Sequence, residues 1–212
     1  MRYILDVDHR VRLTDEHMHK LWKLPRFVTF SGTFDEESAK KFREELEMTE
    51  DAAMAAGQEI IPVIIDSYGG SAYSLLSMID AINACKLKIA TVVESKAMSA
   101  GAALFTCGAE GYRFIGPNAT VMVHCAAGHA AGKVHEAKAD IKELDRLNTH
   151  IFKIMDKNCG KPEGYFWNIV EKEKHMADWF MDANEAVNHN LANHVGIPKL
   201  YIDVKMTTKF GL

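Results

Sequence analysis

Two hydrophobic rhythms alternate along the first half of the chain. Residues 27–32 (Phe27-Val28-Thr29-Phe30-Ser31-Gly32), 60–66 and 88–93 are short apolar runs rich in branched side chains, the pattern of buried strands. Pro62 sits near the start of the second run, where a missing N–H is tolerated. Between the runs the period changes to that of a helix. Over 34–56, Ala39, Phe42, Leu46, Thr49 and Ala53 share one face; over 71–84, Leu75, Met78, Ile79 and Ile82 do. Residues 100–106 predict a short apolar helix, and 112–115 and 120–124 two short strands. A long amphipathic helix is expected over 133–157, with Val134, Ala137, Ile141, Leu144, Asn148, Ile151 and Met155 as its stripe. Lys142 with Asp145, and Glu143 with Arg146, support its solvent face. Helices over 164–174 and 184–190 and a strand over 200–204 complete the pattern. Strands alternating with helices predict an α/β fold with a parallel sheet and right-handed crossovers.

Residues 1–25 mix charge with few periodic apolar positions and end at Pro25; they read as an arm, with a single domain over 26–212. The chain has 212 residues, 48% of them hydrophobic, enough for one full core. A net charge of −4 predicts neither a nucleic-acid nor an anionic-membrane partner. No stretch approaches the roughly 18 uncharged apolar residues of a membrane span. The start of the chain carries no apolar run of signal-peptide length. The four cysteines form no Cys-x-x-Cys pair, so buried thiols in a reducing cytoplasm are expected. Ten histidines are scattered without a His-Glu-x-x-His, and no metal or other cofactor is expected.

Three motifs carry chemistry. In Lys96-Ala97-Met98-Ser99-Ala100-Gly101-Ala102 one serine stands among small residues where a strand gives way to a helix. At a helix N-terminus, unpaired N–H groups and the positive dipole end favour negative charge, as an acyl-transfer oxyanion requires. The same serine reads alternatively as a helix cap with small neighbours for tight packing. Asp66-Ser67-Tyr68-Gly69-Gly70-Ser71 joins a strand to a helix, and its paired glycines permit a sharp turn and a close backbone approach. It lacks the Gly-x-x-x-x-Gly-Lys-Ser of a phosphate loop. Thr120-Val121-Met122-Val123-His124 ends a strand on a histidine. Sites of open α/β sheets gather at the C-terminal ends of strands, and all three motifs lie just past such ends. Histidine is suited to take up a serine proton near neutral pH and return it to a leaving amine.

These residues, in this order, resemble the proteolytic subunit of the Clp protease, a caseinolytic serine peptidase family. The resemblance runs from about Phe27 to Gly196 and includes Phe180-Met181-Asp182-Ala183-Asn184-Glu185-Ala186, similar to the segment after the family's catalytic acid. It implies the Clp protease/crotonase-like spiral of ββα units, with the helix over 133–157 as a projecting handle. It implies Ser99 as nucleophile, His124 as general base, and the N–H groups of Gly69 and Ala100 as oxyanion donors. It further implies a homo-oligomer of stacked heptameric rings enclosing a chamber, peptide or unfolded protein as substrate, and a separate ATPase of the AAA+ unfoldase class.

The chain departs from the family pattern in three places. Tyr68 stands where proline usually precedes the two glycines, and Cys125-Ala126-Ala127 come after the histidine where a proline is common. Ungapped alignment on Phe180 puts Lys174 where the family has its aspartate. Asp178 is the favoured third member, Glu173 the alternative acid, and a serine–lysine pair with Lys174 a further option. Such departures, with the unmatched first 25 residues, suit a divergent member of the phage type, some of which process capsid proteins. An inactive structural ring subunit is the second reading. A crotonase-type acyl-CoA enzyme using Glu94 and Glu110 is the third.

Overall fold

The computed structural model describes residues 3–6, 26–128, 132–174 and 177–203, with the backbone alone for residues 3–6, 173, 202 and 203. The expected arm therefore lies outside the described residues except at 3–6. There β1 (Tyr3–Asp6) pairs in parallel with the last strand, β9 (Leu200–Asp203), as a separate two-stranded sheet.

The main sheet starts at β2 (Val28–Phe34), followed by helix α1 (Glu36–Ala55), strand β3 (Ile60–Gly70), helix α2 (Ala72–Ala84) and strand β4 (Lys88–Met98). Asp35 caps α1: its carboxylate accepts from Ser38 N–H at 2.7 Å, and Ser38 Oγ accepts from Asp35 N–H at 2.9 Å. The predicted faces are the buried ones, Ala39, Phe42, Leu46, Thr49 and Ala53 on α1 and Leu75, Met78, Ile79 and Ile82 on α2. Each large side chain so buried contributes about 1.5–3 kcal/mol. Strands β2, β3 and β4 are adjacent and parallel in chain order. The crossover helices therefore stack on one another, α1 against α2 and α2 against α3 (Ala100–Phe105).

Strand β4 runs five residues past the predicted 88–93 and serves two neighbours. Thr91–Val93 pair with β5 (Arg113–Ile115), whereas Lys96–Met98 pair with β6 (Thr120–Val123). Between the two pairings the register against β3 jumps from Ile65↔Val93 to Ser67↔Ala97. The extra residues of β4 form a bulge, which bends the strand and re-aims its last residues. Exposed Glu94 and Ser95 fall in this bulge, which explains why the apolar run stops short of the strand's end.

Helix α4 (Val134–Asn158) comes next, then α5 (Tyr165–Asn168), which runs on as a π-helical turn, Ile169–Glu173. The segment expected as one regular helix is thus two pieces. Asp156, buried in α4, accepts from Gly164 N–H at 2.7 Å and Phe166 N–H at 3.0 Å and so holds the start of α5. Strand β7 (Trp179–Met181) pairs antiparallel with β6; helix α6 (Ala183–Asn188) and β8 (His194–Val195), beside β5, come after it. Buried Arg113 donates to the carbonyls of Gly108, Asn190 and Leu191 and so ties the late segment to the sheet. The buried residues of α4, Leu147, Asn148, Phe152, Met155 and Asp156, all lie in its second half. Val134 and Ile141, placed on the expected stripe, are 68% and 60% exposed. No helix among the described residues is long and apolar enough to cross a membrane.

Candidate active site

Ser99 occupies the turn between β4 and α3 with φ 55° and ψ −118°, a backbone conformation that side chains rarely adopt. Three contacts hold it there. Its N–H donates to Met122 O at 2.8 Å, and its carbonyl accepts from Ala102 N–H at 3.0 Å and Ala103 N–H at 3.2 Å. The small residues after it let α3 bury all six positions against the sheet. The turn thus presents the serine where β4 meets β6.

Antiparallel pairing of β6 with β7 supplies the other groups. The ladder Val121↔Met181, Met122↔Phe180, Val123↔Trp179 ends there, and the next residue beyond each strand at that end is His124 on one side and Asp178 on the other. His124 Nε2 lies 2.8 Å from Ser99 Oγ, and His124 Nδ1 lies 3.0 Å from Asp178 Oδ1. The histidine is 25% exposed and the aspartate 52%. Glu173 ends the π-helical turn. Lys174 is turned to another purpose: its ammonium lies 5.5 Å from the centre of the Trp179 ring. Glu110 is held by Arg113 at 3.3 Å, and neither it nor Glu94 lines the pocket at Ser99.

The Gly-Gly segment is not a loop after β3 but its last two residues. Gly69 and Gly70 pair with Thr33 and Phe34 of β2. Both have positive φ, 106° and 145°. A Cβ on Gly69 would stand 2.7 Å from Ser99 Cβ, and one on Gly70 would stand 2.5 Å from Phe34 O, so only glycine fits either place. Ala100 N–H, at the first position of α3, has no intrahelical acceptor. Gly69 N–H donates to Ser67 Oγ at 3.0 Å, and the Ser67 hydroxyl donates in turn to Gly32 O.

Sequence reasoning missed Ser67 and the pair flanking it. Lys96 Nζ lies 2.5 Å from Asp66 Oδ1 and 4.5 Å from the centre of the Tyr68 ring. Hydrogen bonding to Asp66 raises the Lys96 pKa. The tyrosine in place of proline thus takes part in a cross-strand contact; the Asp-x-Tyr spacing opposite a lysine was its only signal. Among the described residues, no three His, Cys, Asp or Glu side chains are grouped to hold a metal ion.

A serine at a strained strand-to-helix turn of an α/β sheet, hydrogen-bonded to a histidine, is the geometry of the serine hydrolase class. The family model described as Clp protease matches residues 13–199, and the chain belongs to the Clp protease family, a family of serine peptidases with this α/β fold. It is similar to the ATP-dependent Clp protease proteolytic subunit 3, chloroplastic, of Arabidopsis thaliana. Identity is 33% over 119 residues, which cover 56% of this chain and 38% of that protein.

Proposed function

We propose that this chain is a serine endopeptidase in which Ser99 attacks the peptide carbonyl. The observation that carries the reading is the chain of contacts from Ser99 Oγ through His124 to Asp178, at 2.8 and 3.0 Å. A carboxylate only accepts hydrogen bonds, so His124 Nδ1–H donates to Asp178, and Nε2 is left unprotonated to accept from the serine hydroxyl. As Ser99 Oγ bonds to the carbonyl carbon, its proton passes to His124 Nε2, and Asp178 stabilises the resulting imidazolium. The oxyanion receives Ala100 N–H and, by exchange of the Ser67 hydroxyl, Gly69 N–H. When the C–N bond breaks, His124 returns the proton to the amine. Water then cleaves the acyl-Ser99 ester, with the same nitrogen taking its proton.

The exposed apolar side chains Val134 and Ile141 of α4 support a further reading, that copies of this chain assemble through that helix into stacked rings around a chamber. On that reading a separate AAA+ unfoldase, or prior unfolding, supplies the extended substrate. Fluorophosphonate labelling with mass mapping tests the chemistry. Modification at Ser99, absent in Ser99→Ala, is the expected result; an assembled particle that resists labelling refutes the nucleophile.

A further inference from the structure

A small depression adjoins Ser99 and His124, with a cavity volume of about 40 Å³. Its wall is apolar, made by Leu75 of α2, Val123 of β6, and Ile151, Phe152 and Met155 of α4. One lining residue breaks the pattern. Asn148 is only 8% exposed and interrupts the apolar stripe of α4 at the pocket. Its Oδ1 accepts from Ala126 N–H at 2.6 Å. A backbone N–H can only donate, so this bond fixes which end of the amide is oxygen. The Nδ2 group has no acceptor among the described residues. It is an unspent donor in a mostly apolar pocket beside the nucleophile.

We infer that Asn148 is a specificity-determining residue. It directs the pocket toward a scissile residue whose side chain has a slender apolar stem and a hydrogen-bond acceptor at its tip, such as glutamine. The inference rests on the peptidase reading above. A residue whose carbonyl sits on Ser99 projects its side chain into the adjoining depression. The small volume disfavours large aromatic groups. In the free protein the Nδ2 group is open to solvent; an aliphatic side chain seated in the pocket would strip away that water and leave the donor unpaired, whereas an acceptor replaces it. One neutral hydrogen bond of this kind corresponds to roughly fivefold to tenfold in rate.

The test uses the assembled full chain and internally quenched peptides that differ only at the acyl-side residue: leucine, glutamine or methionine sulfoxide, whose oxygen accepts but does not donate. Wild type is expected to cleave the glutamine and sulfoxide peptides about fivefold to tenfold faster than the leucine peptide in kcat/KM. Asn148→Leu should reverse that order. Asn148→Asp keeps the acceptor for Ala126 N–H and replaces the donor, so the sulfoxide peptide should fall below leucine while fluorophosphonate labelling of Ser99 persists. Ser99-dependent cleavage with leucine preferred by wild type, or an order unchanged in both variants, overturns the role of Asn148 alone. Absence of both cleavage and labelling in wild type overturns the peptidase reading and this inference with it.

Discussion

At the scale of the residue, the site depends on contacts that chain separation conceals. His124 and Asp178 lie 54 positions apart, yet they flank the same end of one antiparallel ladder and their side chains meet. The orienting carboxylate therefore depends on register: a slip of one residue would turn its side chain to the other face. Asp178→Ala is expected to lower kcat by about 10³–10⁴-fold, the scale on which losing the orienting acid acts in serine peptidases. Glu173→Ala should change it little. Steady-state hydrolysis of one peptide by both variants checks the order, and a larger loss from Glu173→Ala would move the acid. Burial outweighs the other influences on two thiols: desolvation pushes Cys107 and Cys159 up to about 12, so neither is a nucleophile near neutral pH.

At the scale of the element, α4 is two structures in one helix. Its second half is core. Its first half is steadied by a charged clamp in which Glu143 meets Arg146 at 2.7 and 2.8 Å and accepts from Tyr73 of α2 at 2.9 Å. The Arg146 guanidinium, with the Tyr73 hydroxyl second, holds the Glu143 carboxyl down to about 2. A depressed carboxylate contributes its stability in full above its unfolded value and loses it as the pH falls through the folded one. The clamp should therefore act undiminished above about pH 4.5 and fade toward pH 2. Thermal unfolding of wild type and Glu143→Gln should differ by a small, constant shift at neutral pH that closes toward pH 2. A gap that persists there contradicts the assignment. The group is exposed, so the shift should also shrink with added salt.

At the scale of the whole molecule, the exposed apolar side chains Val134 and Ile141 on the first half of α4 are the ones the assembly reading puts to use. Val134 and Ile141 are more than half exposed, whereas Asn148 and Met155 of the same stripe are buried and Ile151 is half-buried. On the assembly reading, Ile141→Asp should split the particle or prevent its formation, because an ionised carboxylate in a closed interface goes unpaired. Sedimentation velocity reads the outcome, and an unchanged profile removes this helix from the interface.

Local patterning determined helices α1 to α4 and placed strands β2 to β6 along the chain. The stripes on α1 and α2 were legible because a helix with one buried face must repeat its apolar positions every three to four residues. The serine between an apolar strand and a small-residue helix, the paired glycines and the strand-ending histidine were legible for a similar reason, since each is a local arrangement. The bulge of β4, its division between β5 and β6, and the strand β7 that Asp178 immediately precedes were decided only in the tertiary structure. So was the burial of α4 from Leu147 onward while Val134 and Ile141 stay exposed. Bulges and strand pairings are set by which backbone N–H finds which carbonyl across the sheet, and that choice involves residues far apart in the chain. Burial of half a helix depends likewise on where the neighbouring elements end. A period counts which residues share a face, but packing decides how far along that face a partner reaches.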